Sequence, residues 1–205
     1  MTQFKTILII IFLGLTASNV LANEIRPERI VAVFHDVLLT VMKKSNTSSV
    51  KERYAQLEPA IDKAFALGFM IKVASGTSWR AMSEAHRVKL VKAFRHMSIA
   101  TYAFRFKGYS GQYFKILKTS DGPRKTQLVY TYIISPKDNK RDKQVKLTYV
   151  TKKFAEGWKI VDVLLDGGIS ELSVRHSEYR TILKTKGAGI LAKRLNKKAD
   201  QLIAN

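Results

Sequence analysis

Apolar residues recur at spacings of three and four through the first hundred residues, at two from about residue 109 to 165, and at three and four again to the end. The first and last regimes predict helices, and the middle one predicts strands. Pro27 to Lys43 reads as a helix whose stripe is Ile30, Val33, Phe34, Val37, Leu38 and Val41. Pro27 suits its first turn, and Glu28 suits the positive end of its dipole. Ser45-Asn46-Thr47-Ser48 is a polar loop, after which Ser49 and Glu52 have the spacing of a capping box. Val50, Tyr54 and Leu57 continue the second helix to Pro59, where the missing N–H predicts a break or kink. Two short apolar turns follow, ended by Gly68 and Gly76, and Ser83 is placed to cap a long third helix with Val88, Val91, Phe94, Met97 and Tyr102 on its face.

Four strands are expected over Tyr109–Lys118, Thr126–Ser135, Gln144–Lys153 and Trp158–Leu165. Asp121-Gly122-Pro123, the charged stretch Pro136–Lys143 and Glu156-Gly157 are the turns between them, which makes an antiparallel meander. Gly167-Gly168 leads to a helix around Leu172–Lys184, which Gly187 interrupts before a last helix carrying Ile190, Leu191, Leu195 and Leu202. Helices, then strands, then helices predict an α+β fold in one domain.

Ahead of this pattern, Met1 to Ala22 has the form of a secretory leader. It has Lys5, the apolar run Ile7 to Leu13, and Val20-Leu21-Ala22 before a cut, leaving 23–205 as the working domain. The chain has no cysteine, so no disulfide stabilises it and no thiol chemistry is available. Lys and Arg number 36 against 16 Asp and Glu, a formal charge of +20. Such a field attracts anionic surfaces, and export favours lipid membranes or acidic proteins over nucleic acid. The plainer reading is a solvated basic surface.

Candidate chemistry is sparse. His35, His86, His96 and His176 have no metal-ligand spacing, and neither a nucleophile elbow nor a phosphate loop is present. Asp162 lies inside an apolar strand, where a carboxylate serves as a general base or holds the fold by pairing with a cation. The sheet, however, is rich in apolar residues on both faces, with Leu128, Val129, Tyr130, Tyr132 and Ile133 on the second strand and Ile160, Val161, Val163 and Leu165 on the fourth. That excess fits a packed core, or a cavity between sheet and helices for an apolar ligand.

Several segments together resemble the MlaC family, also called the toluene-tolerance family, of periplasmic lipid-binding proteins. They are Leu57-Glu58-Pro59-Ala60-Ile61-Asp62, Trp79-Arg80 before Ser83, Thr101-Tyr102-Ala103, Gly157 to Val163, Asp166 to Ser170, and Tyr179 to Leu183 with Gly187 after it. Within it, Leu165 to Tyr179 is most similar to the hopanoid-associated HpnM branch. Gly168-Ile169-Ser170 after Gly167 stands where the phospholipid branch typically has Gly-Val-Ser. The resemblance implies a nuclear-transport-factor-2-like cone with added N- and C-terminal helices. It implies a periplasmic carrier that takes a hopanoid or phospholipid between an inner-membrane transporter, of which it is an auxiliary component, and an outer-membrane lipoprotein, with no chemistry and no cofactor. On this reading Phe34, Val37, Phe69, Met70, Phe94, Met97, Leu147, Val161 and Val163 line the lipid cavity. Two rivals are an enzyme of the same fold acting on a polycyclic lipid with Asp162 as base, and a basic protein that coats anionic membrane.

Overall fold

The computed structural model describes residues 26–136, 143–166 and 168–205, so the leader, most of the Pro136–Lys143 loop and Gly167 lie outside the described residues. Five helices and a five-stranded antiparallel sheet follow one another as α1 (Pro27–Lys43), α2 (Val50–Ala64), α3 (Leu67–Ser75), α4 (Glu84–Arg105), β1 (Tyr113–Gly122), β2 (Thr126–Ser135), β3 (Lys143–Phe154), β4 (Gly157–Leu165), β5 (Ile169–Ser170) and α5 (Glu171–Ile203). The strands stand in chain order. The expected meander therefore has a fifth strand. Two residues are too few to show a period, but they pair with Leu164 and Leu165 after a tight reversal. The first strand begins at Tyr113 rather than Tyr109.

Local signals set most boundaries. Ser49 accepts from the Glu52 amide while the Glu52 carboxylate accepts from the Ser49 amide at 2.8 Å, closing the capping box. The Ser83 and Ser170 side chains cap α4 and α5 by accepting from the amides of His86 and Ser173. Gly76 ends α3 with φ +56°, and a Cβ there would come within 2.6 Å of His176. Gly187, with φ +77°, interrupts α5 without ending it.

Pro59 does not end α2. Leu57 and Ile61, on either side of it, are both fully buried, and Arg95 of α4 grips Glu58 at 2.7 Å and Asp62 at 2.5 Å across it. Each buried aliphatic side chain contributes about 1.5–3 kcal/mol, so two of them offset the roughly 3 kcal/mol cost of an interior proline. Gly68 likewise ends no element and is the second residue of α3. The face expected of α4 is also corrected: Val88 is 44% exposed, whereas Leu90, Ala93, Phe94, Ile99, Ala100 and Ala103 are buried. α4 packs against α2, α3 and α5, so burial spreads around it and small alanines admit the neighbours.

One sheet face packs on the helices. Phe114 of β1, Ile133 of β2, Val145, Leu147 and Tyr149 of β3, and Val163 and Leu165 of β4 share it through the strand register. Ile160 joins them because a bulge makes Val161 an extra residue and shifts the alternation. A second bulge lies at Leu117 on β1, the outer strand, where Lys115, Leu117 and Lys118 are exposed. At the other side of the sheet, a parallel bridge from Phe65 to Ile160 and the pairing of β5 cover both ends of β4. No described helix is long and apolar enough to cross a membrane.

Candidate functional site

A cavity of about 240 Å³ lies between this sheet face and the helices. The sheet supplies Ile133, Val145, Leu147, Tyr149, Val163 and Leu165. Ile61, Phe65, Leu67 and Met70 come from α2 and α3 and the link between them, and Phe94, Ser98, Thr101 and Tyr102 from α4. Arg105, Phe106, Glu171, Leu172 and Arg175 complete the lining where α4 ends and α5 begins. This is the open end, since the Arg105 side chain is 62% exposed. Thr101 and Ser98 contribute small polar atoms, but the Thr101 hydroxyl donates back to the Met97 carbonyl at 2.7 Å. The walls are accordingly apolar, with charge gathered at the opening.

Of the residues expected in the lining, Met70, Phe94, Leu147 and Val163 are in it, and the other five are not. Phe34 is buried one layer deeper, edge-on to Phe65 at 5.0 Å and to Tyr102 at 5.3 Å, so it backs the wall. Val37 and Met97 are half-buried against the core from outside. Phe69 turns to the other side of α3 and meets Phe154 edge-on at 5.7 Å. Val161 is displaced by the bulge in β4. Two apolar sheet faces gave alternation no way to choose, and the bulge would have defeated a choice made from Val161.

The base of the site holds a buried polar pair. His35 of α1, 3% exposed, stacks on Phe114 with ring centroids 4.1 Å apart, and its Nε2 shares a hydrogen bond of 3.0 Å with the Tyr149 hydroxyl. Burial holds the imidazole neutral, lowering its pKa to about 3, and pushes the Tyr149 phenol well above its ordinary value. Burial likewise raises the Tyr102 phenol.

At the opening two guanidinium groups share one carboxylate. Arg105 Nη1 lies 3.5 Å from Glu171 Oε1, and Arg175 Nη2 lies 3.5 Å from Glu171 Oε2. Arg175 also donates to the Tyr179 hydroxyl at 3.2 Å and lies over the Phe94 ring at 5.8 Å. Burial opposes its charge, yet Tyr179 and Glu171 outweigh burial and raise its pKa. Sequence reasoning passed over these residues. Their one local trace is the i,i+4 spacing of Glu171 and Arg175, which any surface helix can show.

Asp162 lies outside the cavity and has no Lys or Arg partner among the described residues. Its Oδ1 accepts from the amides of Val163 at 2.8 Å and Leu172 at 3.0 Å, and its Oδ2 from the Ser170 hydroxyl at 2.5 Å. It ties β4 to β5 and to the first turn of α5, which sets Glu171 and Arg175 at the opening. With both oxygens occupied by three donors, it fits a structural anchor better than a base. No group of metal-ligating side chains occurs among the described residues.

A family model described as MlaC protein matches residues 33–197. Comparison with curated protein sequences gives no match. Among solved structures, a phospholipid-binding protein from Ralstonia solanacearum, in complex with a phospholipid, is similar with a TM-score of 0.70 and 18% identity. The alignment covers 84% of this chain and 96% of that one, and at this identity the likeness speaks for the fold alone.

Proposed function

The chain belongs to the MlaC family, and from that premise we propose that it is a lipid carrier. The observation that carries this reading is the cavity of about 240 Å³ between sheet and helices, apolar along its walls and charged where it opens. A tail of roughly ten methylenes moved from water into such walls gains about 8 kcal/mol, which corresponds to micromolar affinity before ordering costs. The fold shared with a phospholipid-bound protein supports a tail in this space, with the head group toward Arg105.

In this reading residues 23–205 form a single domain, a nuclear-transport-factor-2-like cone wrapped by the terminal helices, working in the periplasm after loss of the leader. It shuttles a phospholipid or a hopanoid between an inner-membrane transporter and an outer-membrane lipoprotein, and its basic surface docks it on anionic membrane. The HpnM resemblance points to the hopanoid, and the charged opening points to the phospholipid. Family membership and the arrangement around Asp162 favour carriage over catalysis.

Native mass spectrometry of protein purified from its own host without detergent tests the reading. An adduct whose mass matches a membrane lipid, released on denaturation, is the expected result. A clean unliganded mass, together with failure to take up lipid from vesicles, would overturn it.

A further inference from the structure

The cavity's opening is built for more than closing a hole. We propose that Arg105 and Arg175 hold the phosphate-type head group of an anionic amphiphile whose tail lies in the cavity, with Arg105 exchanging Glu171 for the ligand. This rests on the carrier reading and narrows its ligand class.

The opening holds unused hydrogen-bond donors. A guanidinium offers five N–H groups, and charge-assisted bonds to an anion settle at about 2.7–2.9 Å. Arg95 shows what a satisfied arginine of this protein looks like: it meets Asp62 at 2.7 and 2.5 Å and Glu58 at 2.7 Å. Arg105 makes one contact, to Glu171 at 3.5 Å. Arg175 reaches the same carboxylate at the same distance. Two cations thus share one anion loosely, with most of the Arg105 donors free. Glu178, exposed on α5, contributes to the charge around Arg175 but does not line the cavity. Three further features suit a phosphate. Tyr102, whose phenol can donate a hydrogen bond, lines the same space. Arg175 is only 17% exposed, so its attraction for an anion is little screened. Phe94 under the guanidinium is part of the wall, so a head held there continues into the apolar cavity. An uncharged polycyclic ligand would leave most of the Arg105 donors unused.

Competition against N-phenyl-1-naphthylamine, a neutral apolar fluorophore, tests the assignment with the purified protein. Dodecyl phosphate below its micellar concentration should displace the dye at least about ten-fold better than dodecanol. Arg105→Gln should bring the two competitors within about two-fold of each other, and Arg105→Lys should keep most of the preference. Glu171→Gln should act in the opposite direction and strengthen dodecyl phosphate, since it removes the competing carboxylate. Equal competition by phosphate and alcohol, or an Arg105→Gln variant that weakens both alike, would overturn the head-group assignment. Displacement of dodecyl phosphate by sodium phosphate at equal concentration would also overturn it, by marking a site for the free anion. If the dye does not bind at all, the cavity reading itself falls and the head-group assignment with it.

Discussion

His35 gives the protein a specific acid sensitivity. It is 3% exposed, touches Phe114 and Tyr149, and is held neutral with a pKa of about 3, whereas in the unfolded chain it titrates near its ordinary 6.5. The unfolded state therefore takes up a proton first as pH falls, and stability drops below pH 6.5 until the folded state titrates near 3. Each pH unit in that window costs about 1.36 kcal/mol, so going from about pH 7.5 to about pH 5 removes about 2 kcal/mol through this one side chain. His35→Gln removes the titration while retaining a donor for the Tyr149 hydroxyl. The variant will be less stable near neutrality, but the diagnostic quantity is the change with pH. Urea denaturation at the two pH values should show the wild type losing about 2 kcal/mol more than the variant. His86, His96 and His176 are present in both proteins and cancel. Parallel losses would refute the reasoning, because they would mean that His35 is protonated, or solvated, in the folded state.

Filling the cavity should separate residues that line it from residues that only adjoin it. Met70→Trp is expected to lower uptake of a fluorescent lipid at least about ten-fold, and Met97→Trp to change it less than about two-fold; equal effects would place the cavity wrongly. Asp162→Asn puts an amide where three donors converge and should cost about 1–3 kcal/mol in thermal unfolding while dye binding by the folded protein persists; unchanged stability would contradict the anchoring role. Transfer of lipid from anionic vesicles should slow between about 0.01 M and about 1 M salt, as the screening length falls from about 30 Å to about 3 Å, while lipid already enclosed stays bound; a salt-independent rate would show that the basic surface takes no part in docking.

The helices and sheet were legible where the signal was local. α1 runs over Pro27–Lys43 as its stripe predicts, and the Ser49–Glu52 box opens α2 as its spacing predicts, because both depend on residues within a few positions of one another. That α2 does not break at Pro59 was not legible, because Arg95, which helps hold it together there, is 37 positions from Glu58. Val161 was misread because an inserted residue reverses parity without altering composition. Arg53 left no trace either: it is 4% exposed and donates to the Ala103 carbonyl at 2.9 Å, closing the end of α4 from the start of α2. The site was legible as a region and through Met70, Phe94, Leu147 and Val163. Its charged opening was not, because Arg105 and Glu171 are 66 positions apart and meet only once Asp162 has fixed the first turn of α5.

The bulged outer strand has a bearing on how this protein survives at high concentration. A sheet of hairpins ends in a row of unpaired backbone groups, and such a row recruits the matching strand of another copy. β4 is shielded at both ends by Phe65 and by β5, which among the described residues leaves β1 as the open border. There the extra residue at Leu117 twists the strand out of line, and Lys115 and Lys118 would bring like charges together in any self-pairing. A chain without disulfides, which unfolds and refolds by its core alone, thus carries its own barrier to fibre growth in the strand most exposed to it.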